Sequence, residues 1–336
     1  ESTDRSDLPH WRVMPDTTID STPPVRRYLP GLDRLRRYQR NWLRVDLLAG
    51  LTVGAMLVPQ GMAYAELADM PPVTGFYAAL LALIAYALVG SSRHLGVGPE
   101  PGTAILAATG VGAIAAGDPE RYFALMAALA LIVGALCLLA AVARLGFIAN
   151  VLSKPVLVGY ITGVGLTLLS SQYAKFTGIP IISDDFFSRT GDLLTGLDEI
   201  DGLTIAVGAA TLLLIQVLRW RAPAVPGALL GVVIATVVAA AFSLDADGLV
   251  LVGEVPQGLP SFGVPNVGRG DIVELLPVAA GIALVGYSDN VLTGRAIGTR
   301  LGYRIDPNQE LAALGVTNLC AGVSQGFPIS SSASRT

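Results

Sequence analysis

Val97-Gly98-Pro99-Glu100-Pro101-Gly102-Thr103, followed by the apolar run Ala104 to Ala116, is the stretch that decides the fold. Two prolines, two glycines and a carboxylate stand at the mouth of a segment too short to cross a bilayer as a full helix. A span needs about 20 apolar residues, and this run supplies roughly two thirds of that. Irregular backbone at membrane depth is tolerated only where it is buried in protein or lines a cavity. A half-helix starting there aims its free N–H groups and the positive end of its dipole at whatever occupies the site. The pattern returns in Gly326-Phe327-Pro328-Ile329-Ser330-Ser331-Ser332-Ala333-Ser334-Arg335-Thr336. Two interrupted segments in corresponding halves point to a transporter's substrate site. The expectation is an anion held between two opposed half-helix N-termini, each preceded by a short strand. Ordinary Pro/Gly turns are the competing reading of either stretch alone.

Composition marks an integral membrane protein. Of 336 residues, 52% are hydrophobic and 14% charged, and the mean hydropathy is +0.60. Soluble domains carry about 25% charged residues. The 38 glycines suit helices packed closely in lipid. No basic stripe is interleaved with aromatics, which excludes nucleic acid as a partner. Cys137 and Cys320 lie inside apolar runs and read as core residues, and no cofactor or metal cluster is expected. No signal-peptide pattern stands at the start.

In chain order, residues 1–40 form a polar cytoplasmic segment with Arg26, Arg27, Arg34, Arg36, Arg37 and Arg40, and an interfacial helix is expected near Leu32–Trp42. Spans are predicted at 45–68, broken at Pro59, then at 73–89, 122–142, 155–171, 203–217 and 225–242. The first half-helix lies between the second and third of these. An acidic loop fills 172–201 with Asp184, Asp185, Asp192, Asp198, Glu199 and Asp201. Further spans follow at 272–292 and 311–323, and the second half-helix starts near Ser330. Residues 41–243 thus make a first repeat of seven segments, and 244–336 the first three segments of a second.

The positive-inside rule then orients the chain. With the N-terminus in the cytoplasm, Arg93, Arg144, Arg219, Arg221, Arg295, Arg300 and Arg304 all fall inside, and the acidic loop falls outside. The two half-helices enter from opposite sides, as an inverted repeat requires. The expected location is the inner (plasma) membrane, multi-pass.

Several motifs are shared with a known family. Gly50-Leu51-Thr52-Val53-Gly54, Val58-Pro59-Gln60-Gly61-Met62-Ala63-Tyr64-Ala65 and Pro71-Pro72-Val73-Thr74-Gly75-Phe76-Tyr77 form the first group. Ser91-Ser92-Arg93-His94 with Val97-Gly98-Pro99, Asp306-Pro307-Asn308-Gln309-Glu310-Leu311 and the 326–336 stretch form the second. Together they resemble the SulP family of anion transporters, which includes bacterial sulfate and bicarbonate transporters, plant sulfate transporters, pendrin and prestin. The resemblance implies an all-α polytopic protein with a seven-plus-seven inverted-repeat, uracil-permease-like fold, divided into core and gate. It also implies a homodimer in the full-length protein, and a STAS domain that usually follows. Here the second repeat stops within its tenth segment, so this sequence reads as part of a longer protein.

Candidate site residues follow from both lines. Gln60 and Tyr64, four apart, share a helix face; the resemblance makes them a polar contact and a wall of the anion pocket, against a packed amide and an interfacial tyrosine. Gly98, Pro99 and Glu100 form the first mouth, and Ser331, Ser332, Ser334 and Arg335 the second, with Arg335 the fixed positive charge. Asp289 and Thr293, at i and i+4 of the eighth span, read as a coupling-ion pair because intramembrane carboxylates are functional by default. Relatives often carry Glu in that place for protons, and the Asp–Thr pair is similar to sodium-dependent bicarbonate transporters. Glu100 departs from the many relatives with an apolar residue there. It either takes a proton during transport or pairs with Arg335. His94 reads as the cap of a cytoplasmic turn.

The function expected is secondary transport of a small anion, sulfate first, by H⁺ symport. Na⁺-coupled bicarbonate transport, dicarboxylate transport and an anion channel or exchanger are the alternatives, along with a uracil/xanthine permease. No HExxH or GxSxG motif supports an enzyme.

Overall fold

The computed structural model describes residues 29–150, 154–181, 186–222, 225–246, 248–253, 255–332 and 334–336. The expectations for Arg26, Arg27, Asp184 and Asp185 lie outside them. Its elements are α1 (Pro30–Arg36), α2 (Leu43–Leu67), α3 (Thr74–Val89), β1 (Val97–Gly98), α4 (Pro101–Ala115), α5 (Pro119–Val142) and α6 (Lys154–Ser171). They continue with α7 (Tyr173–Thr177), α8 (Phe186–Thr195), α9 (Gly202–Arg221), α10 (Gly227–Phe242), α11 (Arg269–Leu301), α12 (Pro307–Val323) and β2 (Ser330–Ser331). Among the described residues, four helical stretches are long and apolar enough to cross a membrane: Arg40–Leu67, Pro119–Val142, Gly202–Arg221 and Arg269–Leu301. Thr74–Val89, Pro101–Ala115 and Gly227–Phe242 are shorter apolar helices.

Local sequence fixes the helix starts. Glu100-Pro101, Asp118-Pro119 and Asp306-Pro307 each place an acidic N-cap before a proline in the first turn. Proline has no N–H to lose there, and the carboxylate accepts from the next two backbone N–H groups. The core forms where α5 and α12 cross. A Cβ on Gly134 would lie 2.8 Å from the Gly315 carbonyl oxygen, and one on Gly315 would lie 2.9 Å from that of Gly134. Only backbone fits at this crossing, as small residues permit in membrane bundles. Leu125, Met126, Leu129, Leu275, Leu314 and Phe327 are fully buried around it. By contrast α9 buries no residue, and Leu212 and Leu213 stand exposed as lipid allows.

Several expectations need correction. Helix α2 runs unbroken through Pro59. The proline removes one hydrogen bond, and the flanking turns hold the helix, since freed backbone has no other partner in lipid. No single helix covers 32–42. Instead α1 ends at Arg36, a 3-10 turn follows at Arg40–Trp42, and α1 lies against the end of α3. The 172–201 loop holds two helices and a 3-10 turn, and Asp201 caps α9. Helix α11 continues to Leu301, so Asp289 and Thr293 sit in mid-helix. Ser330 and Ser331 are strand, not helix, and the chain turns after them, where the N–H groups of Arg335 and Thr336 donate to the Ser332 carbonyl at 3.2 and 3.1 Å. Cys137 is buried and Cys320 half-buried, both free thiols.

Candidate functional site

The two interrupted segments meet. Strands β1 and β2 pair antiparallel, with Val97 opposite Ser331 and Gly98 opposite Ser330. The N–H of Ser332 extends the ladder to the Gly96 carbonyl at 2.8 Å. Among the described residues neither strand pairs with another strand, so the two irregular segments satisfy one another's backbone.

Arg335 comes back across this crossing. Its guanidinium donates Nη2 to the Pro99 carbonyl at 2.8 Å and Nη1 to Oε1 of Gln60 at 3.2 Å. A Cβ on Gly98 would stand 3.2 Å from Nη2, so the bare strand is what lets the guanidinium in. Arg335 is only 8% exposed. Among the described residues the ion pairs are Arg37–Asp33, Arg121–Asp271 and Lys175–Glu66, and Arg335 has none. Its two hydrogen-bond partners are neutral acceptors, and the Glu100 carboxylate lies within charge–charge reach without forming an ion pair. Because guanidinium only donates, it must meet the oxygen end of Gln60, and the amide N–H₂ is left to face elsewhere. Tyr64 lies within charge–charge reach of Arg335 and Glu100.

Glu100 does something other than expected. Its carboxylate caps α4, accepting from the N–H of Gly102 at 2.9 Å and of Thr103 at 2.8 Å. With Pro101 lacking an N–H and Ala104 bonded to the Glu100 carbonyl, the first turn of α4 offers no open donor. The anticipated pairing of Glu100 with Arg335 is not formed; helix capping holds the carboxylate instead. Beside it is a cavity of about 260 Å³ between the start of α4, α6, α11 and β2, lined by Glu100, Thr103, Asp289, Ser330 and apolar side chains that include Val164 and Leu168. Asp289 accepts from Ser331 Oγ at 2.8 Å, and Ser330 Oγ donates to the Gly286 carbonyl. Thr293 is one turn further along α11 and is not among the lining residues. Ser332 and Ser334 share a hydroxyl contact of 3.1 Å, with Ser332 buried and Ser334 exposed. The structure thus separates the candidates into a cationic cluster (Gln60, Gly98, Pro99, Arg335) and a carboxylate-lined cavity (Glu100, Asp289).

Outside the spans, His94 is exposed with Nδ1 3.1 Å from the Tyr303 hydroxyl. Partial desolvation of the ring, then Arg93 and Arg34, hold it below the ordinary histidine range. No group of three or more potential metal ligands occurs among the described residues. Sequence reasoning missed Glu310 and Asn318, both fully buried in α12. The signal was available: polar side chains inside an apolar segment are expensive and need a reason.

A helical bundle with membrane-length apolar helices, built around two crossed, interrupted segments with a buried guanidinium at the crossing, has the architecture of a polytopic membrane protein. Comparison with known proteins agrees. The chain matches the Sulfate permease family over residues 43–336. It is 47% identical over 309 residues to a probable sulfate transporter of Mycobacterium tuberculosis, covering 92% of this chain and 55% of that protein. It is 32% identical over 327 residues to the chloroplastic sulfate transporter 4.1 of Arabidopsis thaliana, covering 95% and 47%. Among solved structures, SLC26A9 superposes with a TM-score of 0.85 at 26% identity, covering 93% of this chain and 52% of that one. The transmembrane domain of a cyanobacterial bicarbonate transporter, BicA, gives a TM-score of 0.78 at 20% identity, covering 89% and 77%, a likeness of fold alone. The fold is therefore the inverted-repeat transporter fold, and the chain belongs to the sulfate permease family, whose members are transporters rather than enzymes. The chain spans about half the length of the curated relatives it matches.

Proposed function

We propose that the protein containing this chain is a secondary transporter of sulfate, with the anion bound beside Arg335 and Gln60 and driven by co-transported protons. The observation that carries this reading is the buried guanidinium that forms no ion pair and whose hydrogen-bond partners are neutral. A buried charge is costly without a close ionic partner, and an entering anion supplies one. The names of the Mycobacterium tuberculosis and Arabidopsis thaliana relatives favour sulfate. Gln60 then contributes its amide N–H₂, Tyr64 a wall, and Ser334 an exposed hydroxyl at the second mouth. Pro99 and Gly98 supply shape.

Glu100 and Asp289, facing one cavity, are the coupling groups in this reading. In this reading, a proton taken up by either carboxylate removes negative charge that would oppose an incoming anion. Sodium is the second reading, favoured by the Asp289–Ser331 contact, which assembles hard oxygen ligands. The absence of Thr293 from the cavity lining weakens the two-residue sodium pair. The same reading places the N-terminus in the cytoplasm, residues 41–243 and 244–336 in successive repeats, and the full-length protein as a dimer in the plasma membrane. Binding of radiolabelled sulfate to purified full-length protein tests the anion seat. Saturable binding lost in Arg335→Gln supports it, and wild type without such binding refutes it.

A further inference from the structure

Helix α12 opens with Asp306-Pro307-Asn308-Gln309-Glu310, and each polar residue there serves a neighbour or a cap. Asp306 caps α12 itself. Asn308 donates Nδ2 to the Ala141 carbonyl near the end of α5 at 2.8 Å. Gln309 donates Nε2 to the Val89 carbonyl at the end of α3 at 2.6 Å. Last-turn carbonyls lack a full set of partners in their own helix; α12 supplies an amide to that of Val89 and a second donor to that of Ala141, which also takes the Arg144 N–H at 3.0 Å.

Glu310 is fully buried and accepts from the Tyr86 hydroxyl at 2.7 Å, the Ser91 hydroxyl at 2.7 Å, the N–H groups of Ser91 and Ser92 at 2.9 Å each, and Asn290 Nδ2 at 3.3 Å. Every one of these partners donates, which suits an ionised carboxylate, an acceptor only. Among the described ion pairs it has none. Its counter-charge is Arg34, which holds the same peptides from their other side: the carbonyls of Ser91 at 2.6 Å, Ser92 at 3.3 Å and Gly90 at 3.4 Å. The peptides between are polarised, N–H toward the anion and C=O toward the cation. This segment runs directly into β1.

Two turns further on, Asn318 does the same for β2. It is fully buried, donates Nδ2 to the carbonyls of Ile329 and Leu314 at 3.0 Å each, and accepts the Ile329 N–H at 3.0 Å. The amide replaces a strand partner for the residue immediately before β2.

We propose that Glu310 and Asn318 are positioning residues, and that α12 is the common support from which both strands hang. Pro99 follows β1 and Arg335 follows β2, so one helix sets how closely the carbonyl and the guanidinium of the seat approach. Neither residue touches the seat. The inference rests on the reading of that seat as the anion site.

Asn318→Asp and Glu310→Gln keep side-chain size and remove the donor–acceptor match. In the full-length protein, hydrogen exchange should quicken about tenfold or more at 329–332 in the first and at 91–98 in the second, while α5 stays protected. Uptake of radiolabelled sulfate should show KM raised about tenfold with Vmax changed less than about twofold, because a site displaced by a fraction of an ångström loses affinity. Exchange that quickens uniformly, or a lower folded yield with unchanged KM, overturns the proposal. Tyr86→Phe removes one donor to Glu310 and keeps the ring. It should raise exchange at 91–98 and KM about threefold, and it decides the matter if the other variants fail to fold. Unchanged exchange and KM in that variant again overturn it. A wild type that takes up no sulfate refutes the anion reading, while the exchange measurement still decides the positioning claim.

Discussion

Arg335 and Gln60, 275 positions apart, are joined by a 3.2 Å hydrogen bond from Nη1 to Oε1. The bond ties the first long helix to the residues after the last strand, and it fixes which end of the amide is free. An amide can offer either an acceptor or donors; here the guanidinium takes the acceptor and leaves the donors. In the proposed seat, those free donors are what Gln60 would offer an anion.

Gln60→Ala should weaken sulfate binding by about one to two decades, the worth of one hydrogen bond to a charged group at roughly 1.5–3 kcal/mol. Ser334→Ala should weaken it less, because its hydroxyl already contacts Ser332 and stands exposed. Equilibrium binding measures both, and normal affinity in Gln60→Ala removes that residue from the seat.

Topology gives a second expectation. A cysteine placed at exposed Thr195 at the end of α8 should react with an impermeant reagent in intact cells, and one at exposed Thr299 near the end of α11 only after permeabilisation. Reversed labelling would invert the orientation argued from the arginine bias.

Asp201 carries a pH dependence whose sign is fixed. Hydrogen bonds from the Thr204 side chain and backbone, then from the Leu203 backbone, hold this carboxyl below its usual range against desolvation. A depressed folded-state value contributes stability that is present above the unfolded carboxylate range and lost as pH falls through the folded value. Asp201→Ala should therefore lower the melting temperature at neutral pH and flatten its decline in acid. A variant melting like wild type at both pH values contradicts the capping role.

Much of the architecture was legible in the sequence, because lipid enforces it. Apolar runs of limited length, Pro/Gly interruptions at 97–103 and 326–336, and the arginine bias identify spans and broken segments before any coordinates. What escaped was pairwise. Glu100-Pro101 repeats the acid–proline start seen at Asp118-Pro119 and Asp306-Pro307, so its capping role was readable inside the chain, yet its neighbourhood suggested an open anion seat. Pro59 looked like a break because propensity was weighed without the penalty lipid places on freed backbone. Glu310 and Asn318 were seen only as parts of motifs. Their partners at 86–92 and 329 are distant or backbone atoms, and no spacing rule reports those.

The most direct measurement is uptake of radiolabelled sulfate into proteoliposomes of the full-length protein under imposed gradients. An inward proton gradient should accelerate uptake, a sodium gradient should not, and Glu100→Gln should bind sulfate yet lose the pH dependence. Uptake that follows sodium, ignores pH and fails in Asp289→Asn would contradict proton coupling, and no sulfate uptake under any gradient would contradict the anion seat itself.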